Sequence, residues 1–488
     1  MHDRLGQRVV SALKWMAAAR LLSQLASWVI TIVVIRLLAP EDYGLMAMAM
    51  AVITFLNLLA EMGMGAALIQ KRDLDQGLVR EAYTLALVVN GLLYVVLYHA
   101  AIPLASFFGE PRLIDVVRVI GLQFFLLALS IVPQSMLEKR MEFNRRAIVE
   151  LVSTIVGSLF TLYLALVGKG VWSLVYGNLL RMFVRMLGLN LLYPYLRVPT
   201  PRLGRVLGIA KFGGWVTLER LLWYLYTESD IFIIGRILGN EILGLYSVAR
   251  QLAALPSQKL NAIMTQVSLP AFSALQDDRE RFRSAFLKAT RLISVFAVPV
   301  FFGISAVAPE AVSVLLGAKW QEVVLPIQLL ALVMPLKMLG ANVPTAVKAV
   351  GRPDVNVVNL SLACIIVPSA VLVGTRWGLT GVVVAWCIAY PLAFAVMLMR
   401  SIPLIGIGIG EFAAAVAPSL MSGIVMYVAI VAERMLFGQQ VEVMARFLLL
   451  VLSGMLAYPL VSLMVNRQAS IELLSLVYPV QGRKLRSR

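Results

Sequence analysis

The chain is 488 residues long, 60% hydrophobic and only 14% charged, whereas soluble domains run about 45–50% apolar and about 25% charged. So apolar a chain has too little polar surface to face water, which excludes a soluble enzyme or binding module and makes hydrocarbon the solvent for most of it. The net charge of +17 does not point to nucleic acid, because the basic residues sit between long apolar runs, where membrane topology accounts for them.

A membrane-spanning helix needs about 20 apolar residues. The first such run, 14–35, is too long for the apolar region of a signal peptide and lacks its small-residue cleavage site, so it is expected to remain as the first span. Runs at 44–68, 82–108, 116–137, 147–167 and 171–193 complete a set of six. A second set lies at 208–234, 242–270, 289–316, 323–346, 355–375 and 379–399, followed by two more at 410–431 and 445–465. The seventh and eighth runs are the most polar. The expectation is an all-α, polytopic membrane protein with about 14 transmembrane helices. Its expected divisions are 1–200, 201–400, and 401–488 with two additional helices and a basic tail.

Basic residues orient such a bundle. With the N-terminus in the cytoplasm, roughly 27 of the 43 Lys and Arg fall in cytoplasmic segments and about 9 on the opposite face, the bias expected of cytoplasmic loops. Both termini are therefore expected inside.

The chain also repeats itself. Arg36-Leu-Leu-Ala-Pro-Glu41-Asp-Tyr-Gly44-Leu45 aligns without a gap to Arg236-Ile-Leu-Gly-Asn-Glu241-Ile-Leu-Gly244-Leu245, and Arg20-Leu21-Leu22 matches Arg220-Leu221-Leu222 at the same offset. Each copy opens a set of six runs, so the halves enter the membrane in the same sense. Such parallel repeats belong to transporters whose cargo binds between the halves.

The stretches Gly239-Asn-Glu-Ile-Leu-Gly-Leu-Tyr-Ser-Val-Ala-Arg-Gln-Leu-Ala-Ala-Leu-Pro256 and Leu269-Pro-Ala-Phe-Ser-Ala-Leu-Gln-Asp-Asp-Arg-Glu280 resemble the start of the second half in Wzx-type polysaccharide flippases. Ala308-Pro-Glu310, Leu316-Gly-Ala-Lys-Trp320, Gln70-Lys-Arg72 and Leu137-Glu-Lys-Arg140 fit the same pattern. The likeness is to the WzxC-like branch of the multidrug/oligosaccharidyl-lipid/polysaccharide exporter superfamily, and it covers essentially the whole chain. It implies translocation of an undecaprenyl-diphosphate-linked oligosaccharide from the cytoplasmic to the periplasmic leaflet of a bacterial inner membrane, for exopolysaccharide, capsule or O-antigen synthesis. It further implies secondary transport driven by a proton or sodium gradient without a cofactor, in the company of a polysaccharide polymerase and other export machinery. A multidrug antiporter of the same superfamily and a membrane-embedded polymerase or ligase of the same pathway are the alternatives. The first should favour acidic cavity residues and the second needs a large periplasmic loop.

Charges inside spans are costly and mark function by default. The candidates are Arg20, Arg181, Arg185, Arg220, Arg250, Lys259 and Lys337 against Glu61, Glu219, Glu228 and Asp230. The excess of cations suits an anionic cargo, since a guanidinium grips phosphate oxygens with two bonds. Each has a plainer reading. Arg20 and Arg220 lie near cytoplasmic ends and can snorkel to the headgroups. Arg181 and Arg185 are four apart and share a helix face, with Arg181 mid-span. Arg250 and Lys259 flank Pro256, a point at which the helix can loosen. Trp215, Glu219, Trp223, Tyr226 and Asp230 form one helical stripe, expected to face the interior, either as sugar platforms and a coupling carboxylate or as a salt-bridged seam. Glu61, beside Gly63 and Gly65, is either a coupling acid or an incident of close helix packing.

Catalytic signatures are absent from the sequence. No phosphate-binding Gly-x-x-x-x-Gly-Lys loop occurs, so no intrinsic ATP motor is expected. Two histidines, His2 and His99, are too few for a His-based metal site. Cys364 and Cys387 lie in apolar runs and read as packing residues. Asn359-Leu-Ser361 matches a glycosylation sequon but falls within a span. The expectation is a transporter and not an enzyme, with no catalytic residue and no metal.

Overall fold

The computed structural model describes residues 27–61, 68, 75–200, 204–275, 278–437 and 441–465, and within them all side chains but those of 61, 204–220, 258–271, 273 and 437. Among the described residues every regular element is a helix. In chain order these are α1 (Ser27–Leu37), α2 (Pro40–Glu61), α3 (Gln76–Phe108), α4 (Leu113–Ile120), α5 (Gln123–Lys139), α6 (Phe143–Leu166), α7 (Val171–Leu192) and α8 (Gly204–Ile237). There follow α9 (Gly239–Ala274), α10 (Arg279–Leu315), α11 (Val324–Ala349), α12 (Pro353–Gly374), α13 (Gly378–Ser401), α14 (Ile409–Phe437) and α15 (Val443–Val465).

These helices fall on the predicted runs, because bilayer hydrocarbon leaves the backbone no partner except itself. Among the described residues, nine segments are long and apolar enough to cross a membrane, the longest of them, Pro353–Ile405, comprising both α12 and α13. Helices α7, α8 and α9 have ample length, at 22, 34 and 36 residues, but carry more charge. Run 116–137 is broken at Gly121 into α4 and α5. Helix α10 begins ten residues before its apolar run. There Asp278 caps it, its carboxylate accepting the Arg281 backbone N–H at 3.1 Å, which satisfies one of the end donors of the first turn.

The chain forms two compact units, Met1–Gly244 and Leu245–Arg488. The predicted boundary near 200 concerns duplicated sequence and is a separate matter from this packing boundary.

In the first unit α8 packs on α2 and α3, and α7 lies between α5 and α6. Helices α6 and α7 approach closely through glycines. A Cβ added to Gly157 would collide with Arg181, one on Gly177 with Thr161, and one on Gly188 with Val149, the small-residue packing by which membrane helices associate. Asn190 of α7 donates to the Leu129 carbonyl of α5 at 3.1 Å.

The repeat motif also has a spatial counterpart inside this unit. A Cβ on Gly44 would run into the carbonyl of Asn240, and one on Gly244 into the carbonyl of Pro40. Position 240 is the repeat partner of position 40, so the two contacts are the same contact made twice, as about a local twofold axis. Side chains at this end reinforce it. Asp42 accepts the backbone N–H of Val171, the first residue of α7, at 2.9 Å. Glu110 accepts Asn240 Nδ2 at 2.7 Å and is gripped by Arg112 through two hydrogen bonds of 2.9 and 3.0 Å. That grip holds the Glu110 carboxyl below its ordinary value and raises Arg112.

In the second unit α10 is the central strut, flanked by α11, α14 and α15. Two ion pairs clamp α14 along it. Near the start of α10, Arg283 pairs with Glu411. At its far end Glu310, only 2% exposed, accepts Arg434 Nε and Nη2 at 2.9 and 3.0 Å, with Arg446 of α15 at 3.4 Å from the same carboxylate. A buried carboxylate is tolerable only when paired and hydrogen-bonded in this way. Helices α12 and α13 meet backbone to backbone at Gly374 and Gly381. Asn359 donates to Ser401 Oγ at 2.9 Å and accepts from Arg400 at 3.1 Å, so the sequon asparagine is a helix-packing residue.

Candidate functional site

Of the predicted residues, Arg20 lies outside the described residues, as do the side chains of Glu61, Trp215, Glu219, Arg220 and Lys259. Arg181 and Arg185 are brought together, one turn apart on α7, and both turn toward Glu150 of α6. Arg185 Nε stands 2.9 Å from Glu150 Oε2, and Arg181 Nη1 stands 3.9 Å from Oε1.

From this triad a polar ladder runs in both directions between α5, α6 and α7. Arg185 donates to Gln134 Oε1 at 2.9 Å, Gln134 donates to Glu138 Oε1 at 3.0 Å, and Glu138 pairs with Arg146 at the start of α6. The other way, Arg181 Nη2 donates to Asn178 Oδ1 at 2.9 Å, and Asn178 donates to Gln123 Oε1 at 3.2 Å. Gln123 is 1% exposed and its Nε2 has no partner among the described residues. From Gln123 to Glu138 the ladder follows α5 for about 22 Å at 1.5 Å per residue, most of the depth of a membrane core of about 30 Å.

Helical phase shows which way it faces. Beyond Phe143 at its first position, the exposed large apolar residues of α6 are Ile148, Val152, Leu159, Tyr163 and Leu166, a single stripe at 100° per residue. Glu150, Ser153, Thr154, Gly157 and Thr161 occupy the opposite side. On α7 the exposed apolar residues Tyr176, Phe183, Leu187 and Leu191 likewise lie across the helix from Asn178, Arg181 and Arg185. The two apolar stripes are the lipid faces, and the charges point away from them. Nevertheless the side chains of Glu150, Arg181 and Arg185 remain 47%, 34% and 17% exposed, so this polar side of the two helices is only partly covered.

The aromatic stripe of α8 divides. Tyr226 and Asp230 are buried, at 8% and 1% exposure, while Trp223 is 57% exposed with its ring centroid 5.6 Å from that of Tyr226. Arg250 is half-buried on α9 in the second unit. Lys337 lies in mid-helix on α11 with Nζ 3.7 Å from the ring centroid of Trp386 and 5.6 Å from that of Tyr390. Two aromatic faces thus replace part of its hydration, an interaction worth about 2 kcal/mol or more when desolvated.

The sequence reading left out Glu150 and Glu310. Both lie within predicted runs, and each is matched to arginines, so part of the expected cation excess is neutralised internally. The signal for Glu150 was present: an acid placed across the helix from an apolar stripe.

A family model described as Polysaccharide biosynthesis protein matches residues 33–325. The chain is 25% identical over 385 residues to the lipopolysaccharide biosynthesis protein WzxC of Escherichia coli (strain K12), covering 78% of this chain and 77% of that one. It is 30% identical over 285 residues to the succinoglycan biosynthesis transport protein ExoT of Rhizobium meliloti (strain 1021), covering 58% of each. Among solved structures, the lipid II flippase MurJ in an inward closed conformation superposes with a TM-score of 0.74 at 15% identity, over 95% of this chain and 99% of that one. An inward-facing multidrug resistance MATE family transporter of the MOP superfamily gives 0.61 at 16% identity, over 78% and 95%. At such identities the structural likeness is one of fold.

Proposed function

The chain belongs to the polysaccharide biosynthesis protein family, and on that premise we propose that it is a flippase for lipid-linked oligosaccharide. The cargo is an undecaprenyl-diphosphate-linked glycan, carried from the cytoplasmic to the periplasmic leaflet of the bacterial inner membrane with both protein termini in the cytoplasm. The observation that carries the reading is the part-buried pair Arg181 and Arg185, held near mid-span on the side of α7 away from its exposed apolar stripe. A diphosphate crossing the hydrocarbon needs cations that replace its water, and arginine supplies planar two-pronged donors that stay charged. Arg220 and Arg250 are further cations for the same path. No ATP-binding loop is present in the sequence, so the energy comes from a proton or sodium gradient, with Glu61, Glu219 and Asp230 as the coupling carboxylates. A polysaccharide polymerase receives the product.

The test is polysaccharide export in a strain lacking its own flippase, with membrane levels of protein measured in parallel. Alanine at Arg181, Arg220 or Arg250 should lower export about tenfold to a hundredfold, the equivalent of one hydrogen bond to a charged group, about 1.5–3 kcal/mol. Lysine should restore more wherever charge alone suffices. Arg145, exposed in the first turn of α6 and paired with Glu142, should tolerate alanine. Full export by all three alanine variants would leave the cationic path without support.

A further inference from the structure

We propose that Glu150 is a built-in counter-anion, which holds Arg181 and Arg185 in place of the cargo's diphosphate and is displaced when the diphosphate binds. The inference rests on the transport reading above and deepens it.

Three observations carry it. First, the carboxylate sits where an anionic ligand would sit. Two guanidinium groups one turn apart converge on it from α7, at 2.9 and 3.9 Å, and it comes from a different helix, α6. Second, the grip is uneven. Arg185 is fixed between Glu150 and Gln134, each at 2.9 Å. Arg181 makes one short hydrogen bond among the described residues, to Asn178, and stands at the limit of ion-pair distance from Glu150. Of the five N–H donors that a guanidinium carries, Arg181 therefore keeps several for a ligand. Third, Glu150 is the most exposed member of the triad, at 47% against 34% and 17%. It can swing toward water while the arginines stay packed, and its helix face is the one opposite the lipid stripe.

Charge then sets the exchange. Two arginines and one carboxylate leave the triad with a net charge of one. With Glu150 turned out, two positive charges face the incoming group, which matches a diphosphate of two or more negative charges. When cargo leaves, the carboxylate returns, so the two part-buried arginines, at 34% and 17% exposure, are not left without a counter-charge. Glu150 thereby weakens cargo binding and speeds release.

The experiment measures equilibrium binding to the full chain in lipid nanodiscs by native mass spectrometry, with undecaprenyl diphosphate and inorganic pyrophosphate as separate probes. Export in cells is followed in parallel. Glu150→Gln should tighten undecaprenyl diphosphate about tenfold, the scale of one charge-assisted contact no longer competed for, yet slow export; Arg181→Ala and Arg185→Ala should weaken binding. Glu150→Asp keeps the charge but draws it back by one methylene, and should tighten binding by about twofold to threefold. That variant decides the matter if Glu150→Gln fails to accumulate. Unchanged or weaker binding in the Glu150 variants, with the arginine variants weakened, would overturn the counter-anion role while leaving the transport reading intact. Tightening toward pyrophosphate alone would overturn the assignment to a lipid-linked diphosphate. If the arginine variants bind as the wild type does, the triad takes no anion and the proposal fails, whereas the transport reading is decided separately by whether the wild-type chain restores export.

Discussion

Replacing Gly44 with alanine places a methyl group where the Asn240 carbonyl already is, and Gly244→Ala does the same to the Pro40 carbonyl. Neither obstacle is a flexible side chain, so rotamer changes cannot relieve the clash and two helix starts must part. Overpacking of this kind costs about 1–3 kcal/mol, and backbone against backbone puts it at the upper end. Alanine returns about 1 kcal/mol through helix propensity, leaving a net loss of roughly 2 kcal/mol, a factor of about 30 in the folded population. Gly91 and Gly303 serve as controls, because an added Cβ meets nothing within 4 Å at either. There alanine should be neutral or stabilising by up to about 1 kcal/mol. Since both clashes separate the same two segments, the double variant should cost less than the sum of the singles. Denaturant or thermal unfolding of the protein in detergent reads all five chains. Equal stability of Gly44→Ala and Gly91→Ala, or strict additivity of Gly44→Ala with Gly244→Ala, would refute the reciprocal contact.

Glu310→Ala should destabilise by about 3–5 kcal/mol, because it strands two arginines against a buried site; replacing Glu310, Arg434 and Arg446 together by apolar residues should cost much less, as unfolding curves would show. For Glu110 the sign is fixed by its lowered value: its stabilisation is complete above the ordinary carboxylate pKa and is lost as pH falls through the depressed one. The pair is well exposed at Arg112, so screening limits the loss to at most about 1 kcal/mol; stability measured below pH 4.5 should decline more steeply in the wild type than in Glu110→Gln. Reporter fusions at Gln276 should read cytoplasmic and those at Lys169 or Trp320 periplasmic, and the reverse pattern would overturn the assigned orientation.

The helices were legible because a membrane allows few structures, and an apolar run of 20 residues has little to become except a helix. The repeated motif at 36–45 and 236–245 was legible for a different reason, since Gly44 and Gly244 each meet a backbone carbonyl of the other copy. The ion pairs were not. Glu310 meets Arg434 across 124 residues of chain and Arg185 meets Glu150 from the next helix, and a linear pattern carries no information about which neighbour an acid will find. Hydropathy compounds the loss, because a window of about 19 residues absorbs a single carboxylate without leaving the apolar range. The α8 stripe shows the limit of phase alone. Trp223 and Tyr226 share a face, yet one is exposed and the other buried, since what stands opposite a face is decided by other elements.

The two clamps on α14 sit at Glu411 and Arg434, roughly 35 Å apart along the helix. Held to α10 near both ends, α14 is expected to move with it as one body. A distance between spin labels on these two helices should stay constant whatever state the transporter occupies. It supplies an internal fiducial mark, against which displacements recorded from labels elsewhere in the second unit can be calibrated.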